Sequence, residues 1–511
     1  MRTPRRSFIR TVLIGGAGAM LPGISMRRLF AEPPARRSTR VDWRRVVFAP
    51  AHALRDGGSF TIPPHSEERD VVIVGAGATS LTAACHLRDA DLVMLEKEPQ
   101  AGGNAHRDIW NGIACTTGTA YTGSPSTPLG RFFEGELGLK LLPIQSHDAY
   151  IVGGKTVWRL FPDGIDQLPF SESVRLGFHR FHRQLRDLAP TLTPQVEKGK
   201  GRLLASLDRL SLSEWIRCER FPQEVHDFAS LYCAPQVGGY PEDLSAAYAC
   251  SVMGDYMGSY EEDYSFPGGL GAASEAMRDR VQASGKDRIR LNAFVVRVAG
   301  VEGGRRVDVT YLENGAPRTV RCRVCLWGAP KHIARHVIQG MPEEQRLAIG
   351  RMGFHNISVM NLCYRRTIFD GAYQAWFQGL PVVDLLPADW VLVHGKADPG
   401  RSQILSCDWP LRQGDRALLL DDQWVVEQCQ ETARGFEKMF PGSLDHLEEI
   451  RVYVRAHSWV IPTPGYITRL RPVISRPVGR VLIARSDQLD FEAAHESGVE
   501  MAREARRLLA A

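Results

Sequence analysis

Residues 70–87 read DVVIVGAGATSLTAACHL, and this stretch decides the fold. The four consecutive β-branched residues 71–74 are typical of a buried parallel strand. Gly75 permits a tight turn after that strand, and Gly77 lets the backbone come close to a pyrophosphate. The helix that begins near Ala78 directs its N-terminus at the phosphate charge. The stretch therefore predicts a strand, a glycine turn and a helix that together bind a dinucleotide.

An acidic residue on the next strand extends this prediction. The strand at 92–95 ends at Glu96, 19 residues after Gly77, where a carboxylate can accept hydrogen bonds from ribose hydroxyls. The third position of the glycine fingerprint holds Ser80, which is small enough for the close packing of helix and strand that glycine usually provides. The predicted dinucleotide contacts in this part of the chain are Gly75, Gly77, Ala78, Ser80, Glu96 and Lys97.

Later segments narrow the choice of dinucleotide. Residues 96–107 read EKEPQAGGNAHR, and residues 264–269 read YSFPGG. They resemble segments of the FAD-containing amine oxidase superfamily, in which a Gly-Gly pair lies close to the cofactor and a Pro-Gly-Gly turn precedes a helix. Residues 479–487, GRVLIARSD, resemble its closing flavin motif. The resemblance implies FAD and adds as cofactor contacts Gly102, Gly103, Asn104, Val295, Ser486 and Asp487.

The resemblance covers both ends and the middle of the chain, which implies an interrupted domain layout. The expected fold is α/β, with a Rossmann-type FAD-binding domain, similar to that of glutathione reductase, and an inserted mixed α+β substrate domain. The expected boundaries are a signal at 1–31, a lead-in at 32–69, FAD-binding parts at 70–145, 261–330 and 461–511, and substrate-domain parts at 146–260, mainly helical, and 331–460.

The chain departs from monoamine oxidases at two places. Residues 462–468, PTPGYIT, contain no cysteine that could tether a flavin, so the resemblance implies non-covalent FAD. The lysine that is frequent in the superfamily falls on Arg323, in the strand before Ala329 and Pro330, which puts a lysine-held water in doubt. The short segments 102–108, 117–119 and 483–487 resemble bacterial spermidine dehydrogenases. No metal site is predicted.

Candidate substrate contacts lie where the inserts meet the flavin segments. His106 could shuttle a proton, and Trp459 and Phe491 could form aromatic walls, although hydrogen-bonded histidines and core aromatics explain them equally well. Residues 255–264, DYMGSYEEDY, combine carboxylates with aromatic rings, which could hold a cationic amine. A solvated acidic loop explains the same run.

These features predict an FAD-dependent oxidoreductase that oxidises a small organic substrate, an amine or polyamine, by hydride transfer to flavin N5. The electron acceptor would be oxygen or a quinone or cytochrome partner. Two alternatives stay open. One is desaturation or oxidation of an isoprenoid or porphyrinogen-like substrate, which apolar pocket walls would favour. The other is a flavin-binding protein without catalysis.

The N-terminus resembles a twin-arginine export signal. Arg5 and Arg6 precede Phe8 and an uncharged stretch at 11–24. This stretch is too short to span a membrane, because a helix needs about 20 residues to cross the hydrocarbon core. We therefore expect export in the folded state to the periplasm or beyond, without a stable membrane span. Residues 1–31 hold six arginines and no acids, so the net charge of +5 would become −1 without them. The charge gives no support for a nucleic-acid partner.

Overall fold

The computed structural model describes residues 39–45, 49–258, 262–395, 398, 400–485 and 490–511. The predicted export signal lies outside the described residues. So do Tyr260 and Glu261 of the acidic run and the predicted cofactor contacts Ser486 and Asp487. Residues Arg40–Ala511 group into one structural unit.

Strands are numbered in chain order. They are Arg40–Arg45 (β1), Glu67–Val74 (β2), Leu92–Leu95 (β3), Arg107–Trp110 (β4), Ile113–Thr116 (β5), Leu142–Pro143 (β6), Ala149–Val152 (β7), Lys155–Trp158 (β8), Tyr264–Ser265 (β9), Ile289–Arg290 (β10), Ala293–Val301 (β11), Arg306–Glu313 (β12), Ala316–Trp327 (β13), Gly353–Tyr364 (β14), Ala375–Phe377 (β15), Asp384–Pro387 (β16), Gln403–Leu411 (β17), Leu447–Val454 (β18), Trp459–Ile461 (β19) and Val481–Ile483 (β20).

Helices are numbered in the same way. They are Ala49–Arg55 (α1), Ala78–His86 (α2), Pro128–Arg131 (α3), Glu172–Lys198 (α4), Arg202–Leu207 (α5), Leu212–Cys218 (α6), Gln223–Gln236 (α7), Ala246–Gly258 (α8), Gly271–Ala283 (α9), Lys331–Val337 (α10), Glu343–Gly350 (α11), Trp390–Val393 (α12), Asp422–Met439 (α13), Arg471–Ile474 (α14) and Phe491–Ala510 (α15).

The first sheet has the strand order β10-β3-β2-β13-β12-β11, with β20 beside β13. Strands β3, β2, β13 and β20 run parallel, and β12 is antiparallel to both β11 and β13. Side chains of α2, α9 and α15, including Leu81, Met277 and Met501, share one core with β2 and β3. The other side of β2 contributes Val72 and Val74 to a second core. Burial on both faces explains why residues 71–74 are apolar without alternation.

The second sheet has nine strands in the order β1-β18-β14-β17-β16-β15-β7-β8, with β19 beside β14. Helices α4 and α6–α8 pack near this sheet through a core that includes Phe178, Phe181 and Trp215. The lead-in contributes a strand that the sequence analysis did not predict, because β1 pairs in parallel with β18. The chain therefore forms an α/β domain and a mixed α+β domain.

Two negative observations apply to the described part of the chain. It has no helix whose length and apolarity would suffice to cross a bilayer. It also has no group of three or more His, Cys, Asp or Glu side chains that could hold a metal ion. All ten cysteines are free thiols.

Candidate active site

A groove with glycine walls lies at the carboxyl ends of β2 and β13. Gly75 has a φ of +87°, and a Cβ there would lie 3.3 Å from the amide nitrogen of Ala329. Gly103 has a φ of +65°, and its Cβ would lie 2.9 Å from Cα of Gly77. The amide of Gly102 donates a hydrogen bond of 2.8 Å to the carbonyl of Ala76. Two backbone segments thus touch where side chains would force them apart.

Ser80 occupies the fingerprint position that usually holds glycine. Its side chain is fully buried on α2, and a Cβ on Gly328 would lie 2.1 Å from the Ser80 Oγ. Gly328 directly follows β13. The close approach of helix and sheet is therefore preserved, because the strand carries the glycine that the helix lacks.

Glu96 lies beside the glycine turn. Its side chain is 6% exposed, its Oε2 accepts a hydrogen bond of 2.6 Å from the Ala76 amide, and its Oε1 accepts one of 2.9 Å from the Glu98 amide. Burial raises its pKa. Because a carboxylate offers about four lone-pair sites, it can accept further bonds from a ligand. Lys97, in contrast, forms an ion pair with Glu98.

These residues fit a dinucleotide. In the described structure no side chain caps the N-terminus of α2, where Ala78 begins the helix, and a Cβ on Gly77 would meet only Cα of Gly103 within 4 Å, at 3.7 Å. The first-turn N–H groups have no intrahelical acceptors, so they can bind phosphate oxygens. The amide of Ala293, at the start of β11, donates to the carbonyl of Glu96 over 2.8 Å, and Val295 is buried two residues further along.

The Gly-Gly segment also contacts the second sheet. The Asn104 amide Nδ2 donates to the Ser458 carbonyl over 3.0 Å. Thr117 donates to the His106 carbonyl from its amide, over 3.1 Å, and from its hydroxyl, over 3.2 Å. Arg455 donates from both terminal nitrogens to the carbonyl and hydroxyl oxygens of Thr117. The groove thus has one wall from each domain.

His106 and Trp459 lie at this junction. The imidazole of His106 stands against Gly102, where a Cβ would be 2.7 Å from its Nδ1. Burial, and then the charges of Arg455 and Arg278, lower its pKa to about 4. His106 is therefore neutral near pH 7. Trp459, next to Ser458, begins β19 opposite His355 and is half-buried.

Two sequence interpretations are corrected by the structure. Phe491 is 5% exposed and packs edge-on against Phe133, with ring centres 5.6 Å apart, so it belongs to the core beneath α15 and does not form a substrate wall. Arg323 forms an ion pair with Asp70 over 3.3 Å, in the middle of β2. Four further residues of β13 separate it from the carboxyl end of the strand that borders the groove, so it does not replace a lysine there.

A buried lysine does lie near the glycine turn. Lys331 is 1% exposed and begins α10, immediately after Ala329 and Pro330. Ala329 is the residue that would meet a Cβ on Gly75. Lys331 was not predicted, because the resemblance places the lysine before the Ala-Pro pair and Lys331 follows it.

The second domain contains a group of buried carboxyls and aromatic rings, which we call the acidic aromatic cluster. The hydroxyl of Tyr256 donates to the carboxylate of Asp148. Asp263 is close enough for the charge of Asp148 to raise its pKa. The members of the cluster are Tyr121, Asp148, Tyr232, Tyr256, Asp263, Tyr373 and Trp376.

Aromatic rings surround the two carboxyls of the cluster. Tyr232 lies 4.7 Å from Trp376 and 5.3 Å from Tyr256, centre to centre. Tyr121 meets Tyr373 edge-on at 6.0 Å. A cavity is lined both by Tyr373 and by Thr116 and Ala120, which flank the Thr117 segment of the groove.

The two carboxyls of the cluster have raised pKa values. Burial raises the pKa of Asp148 to about 6, and burial together with Asp148 raises that of Asp263 to about 7. Both keep some accessible surface. None of the described basic side chains forms an ion pair with either of them.

The residues of the acidic run 255–264 therefore fall into two groups, one in the cluster and one exposed. Tyr256 and Asp263 point into the cluster, whereas Asp255 is exposed and accepts a hydrogen bond of 3.0 Å from Thr193. Glu262 is exposed. The sequence analysis missed the other members of the cluster, which come from distant segments without a common motif.

Comparisons with known proteins extend this description. A family model described as flavin containing amine oxidoreductase matches residues 81–506. A protein of Mycobacterium tuberculosis named as a flavin-containing monoamine oxidase is 24% identical over 240 residues, which are 45% of this chain and 51% of that protein. The chain thus spans about half the length of that relative.

Two matches that cover more of the chain are also to flavin-dependent amine oxidases or to their fold. The flavin-containing amine oxidase A of Sus scrofa is 22% identical over 471 residues, covering 85% of this chain and 84% of that protein. The solved structure of a putrescine oxidase variant has a TM-score of 0.71 at 18% identity, and the match covers 86% of this chain and 99% of that chain. At this identity the structural likeness shows a shared α/β fold with an inserted domain.

Proposed function

Because this chain belongs to the flavin-containing amine oxidoreductase family, whose cofactor is FAD, we propose that it oxidises small cationic amines at the junction of its two domains. The observation that carries the proposal is the acidic aromatic cluster. Asp148 and Asp263 are mostly buried there and have no basic partner among the described side chains. A buried carboxylate without a partner is costly, so a cationic ligand is the natural complement.

The surrounding rings support the same class of ligand. An ammonium group placed over Tyr232, Tyr256 or Trp376 gains a cation–π attraction, and the rings exclude water from the ion pair. Carboxyls at this place argue against an isoprenoid or porphyrinogen-like substrate, for which apolar walls would be expected. FAD, when bound, would supply the acceptor for a hydride equivalent from the C–H bond beside the amine nitrogen, and water would hydrolyse the resulting imine.

The proposal has three finer parts. We propose a polyamine as one possible class of amine, supported by the segments that resemble spermidine dehydrogenase and by the likeness to a putrescine oxidase fold. We also propose twin-arginine export to the periplasm or beyond, supported by Arg5, Arg6 and the short apolar stretch that follows. Oxygen and a quinone or cytochrome partner are the candidate electron acceptors.

Anaerobic titration of the FAD-loaded protein tests the proposal. We expect spermidine, putrescine or a simple monoamine to bleach the flavin absorption bands. The variant Asp263→Asn should raise the KM of the reducing amine at least tenfold, because a charge-assisted hydrogen bond contributes about 1.5–3 kcal/mol. The matched control is Asp255→Asn, which changes an exposed carboxyl on the same run and should leave KM unchanged.

The pH dependence of KM gives a second readout. Amines stay cationic up to about pH 10, whereas the Asp148 and Asp263 carboxyls ionise as pH rises through about 6 and 7. KM should therefore fall between pH 5.5 and pH 8, and the fall should be smaller in Asp263→Asn. Bound flavin that none of these amines reduces would contradict the proposal.

A further inference from the structure

Arg455 is a buried cation at the wall of the cofactor groove. It directly follows β18, and its side chain is 8% exposed. Burial lowers its pKa to about 10, which still leaves the guanidinium charged near neutral pH. Among the residues that the structure describes, no carboxylate forms an ion pair with it.

The guanidinium of Arg455 contacts the Thr117–Gly118 segment at the wall of the groove. Its Nη2 donates to the Thr117 hydroxyl over 3.0 Å, and its Nη1 donates to the Thr117 carbonyl. A Cβ on Gly118 would lie 3.5 Å from Nη1 and 2.4 Å from the carbonyl oxygen of Asn104. Asn104 and Gly103 are exposed. Nε of Arg455 is buried and has no hydrogen-bond partner in the described structure.

The contacts of Arg455 do not offset the cost of burying its charge. Removing a guanidinium from water costs several kcal/mol, and two bonds to the neutral oxygens of Thr117 offset only part of that cost. The charges of Tyr453 and Glu98 favour the charged form of Arg455, and the carboxylate of Glu98 also pairs with Lys97. The charge of Arg455 therefore calls for a negative group that the polypeptide does not supply.

We propose that Arg455 stabilises the negative charge that FAD acquires on reduction and thereby raises its reduction potential. A hydride carries two electrons and one proton. Its transfer from a neutral amine leaves a cationic iminium on the substrate and one negative charge on the cofactor side. A fixed cation in a groove of low dielectric attracts that charge strongly. This role holds for any substrate, so it is independent of the amine proposal.

The reduction potential of the FAD-loaded protein, measured against a redox dye without any amine, tests this role. Arg455→Gln should lower the equilibrium constant for two-electron reduction at least tenfold, which is about 30 mV. Arg455→Lys, which keeps the charge, should recover most of that loss. Arg471→Gln is the matched control, because Arg471 is also partly buried and donates to the carbonyls of Val196 and Glu197. It should leave the potential unchanged.

Proton uptake separates this electrostatic role from a structural one. At a pH low enough for free FAD to take up two protons with two electrons, the wild-type protein should take up one, and Arg455→Gln should approach two. An Arg455→Gln protein with bound FAD and an unchanged potential would overturn the proposal. If that variant does not retain FAD, uptake of two protons by the wild-type protein at the same pH would overturn it equally.

Discussion

At the scale of single residues, the cofactor groove depends on positions where no side chain can be placed. Gly103 and Gly112 both have a left-handed backbone, with φ of +65° and +77°. A Cβ on Gly103 would meet Cα of Gly77 at 2.9 Å, whereas a Cβ on Gly112 would meet nothing within 4 Å. The two positions therefore share the same backbone strain and differ in the space around them.

We predict that Gly103→Ala abolishes FAD retention, because the methyl group forces the two glycine segments apart. Gly112→Ala should lose about 1 kcal/mol of unfolding free energy, which is the cost of a left-handed non-glycine residue, and should keep FAD. The measurements are flavin content after gel filtration and denaturant unfolding. Equal FAD content in the two variants would show that the close contact is not required.

At this scale the sequence predicts local geometry, and the role of these residues in binding FAD stays a prediction. The glycine turn at 75–77 and Glu96 were predicted from spacing, because one strand, one turn and the next strand fix their geometry. Asp148 and Tyr373 were not predicted, because they meet through the packing of distant segments. A weak signal existed nearby, since Asp384 interrupts the apolar run VVDLL at 382–386 and is fully buried.

At the scale of elements, α2 and the end of β13 come close together at Ser80 and Gly328. Gly328→Ala would place a methyl group 2.1 Å from the Ser80 hydroxyl oxygen. We predict a loss of about 1–3 kcal/mol of unfolding free energy, as is typical of overpacking. In a Ser80→Gly background the same change should be nearly neutral, because Gly328 has an ordinary backbone conformation.

A double-mutant cycle measures this coupling directly. An interaction free energy of at least 1 kcal/mol between Ser80 and Gly328 supports the view that the strand glycine replaces the missing helix glycine. Additive effects would mean that α2 simply shifts to make room. The FAD absorption spectrum of each variant shows whether the groove is preserved.

The elements also show where sequence reasoning reaches its limit. Arg323 was aligned correctly to β13, but its position along that strand places it beside Asp70, far from the groove. Parallel strands carry their ligands at the carboxyl end, so strand membership alone does not define a site residue. Strand β1 was missed for a related reason, because its partner β18 lies about 400 residues later in the chain.

At the scale of the whole molecule, buried ionisable groups of opposite kind shape the dependence of stability on pH. Burial lowers the pKa of five histidines to about 4 or below, namely His106, His332, His355, His457 and His495. Burial raises the pKa of Asp384 and of the adjacent Asp408. The histidines make the protein less stable as pH falls, and the aspartates make it less stable as pH rises. Replacing one residue of each kind should therefore show how much it contributes to the change of unfolding free energy with pH.

For His355 the folded pKa of about 4 lies below the ordinary value of 6.5. Its contribution to stability is therefore present above pH 6.5 and lost as pH falls toward 4. Relative to wild type, His355→Gln should gain about 2 kcal/mol of unfolding free energy between pH 7.5 and pH 5.

For Asp384 the folded pKa is raised, so its contribution is present below the ordinary carboxyl pKa and lost as pH rises. Asp384→Asn should gain relative to wild type in the opposite direction, from pH 5 to pH 7.5. Denaturant unfolding at both values measures the two differences, and differences of the same sign would contradict the assignment of these groups as buried and uncharged.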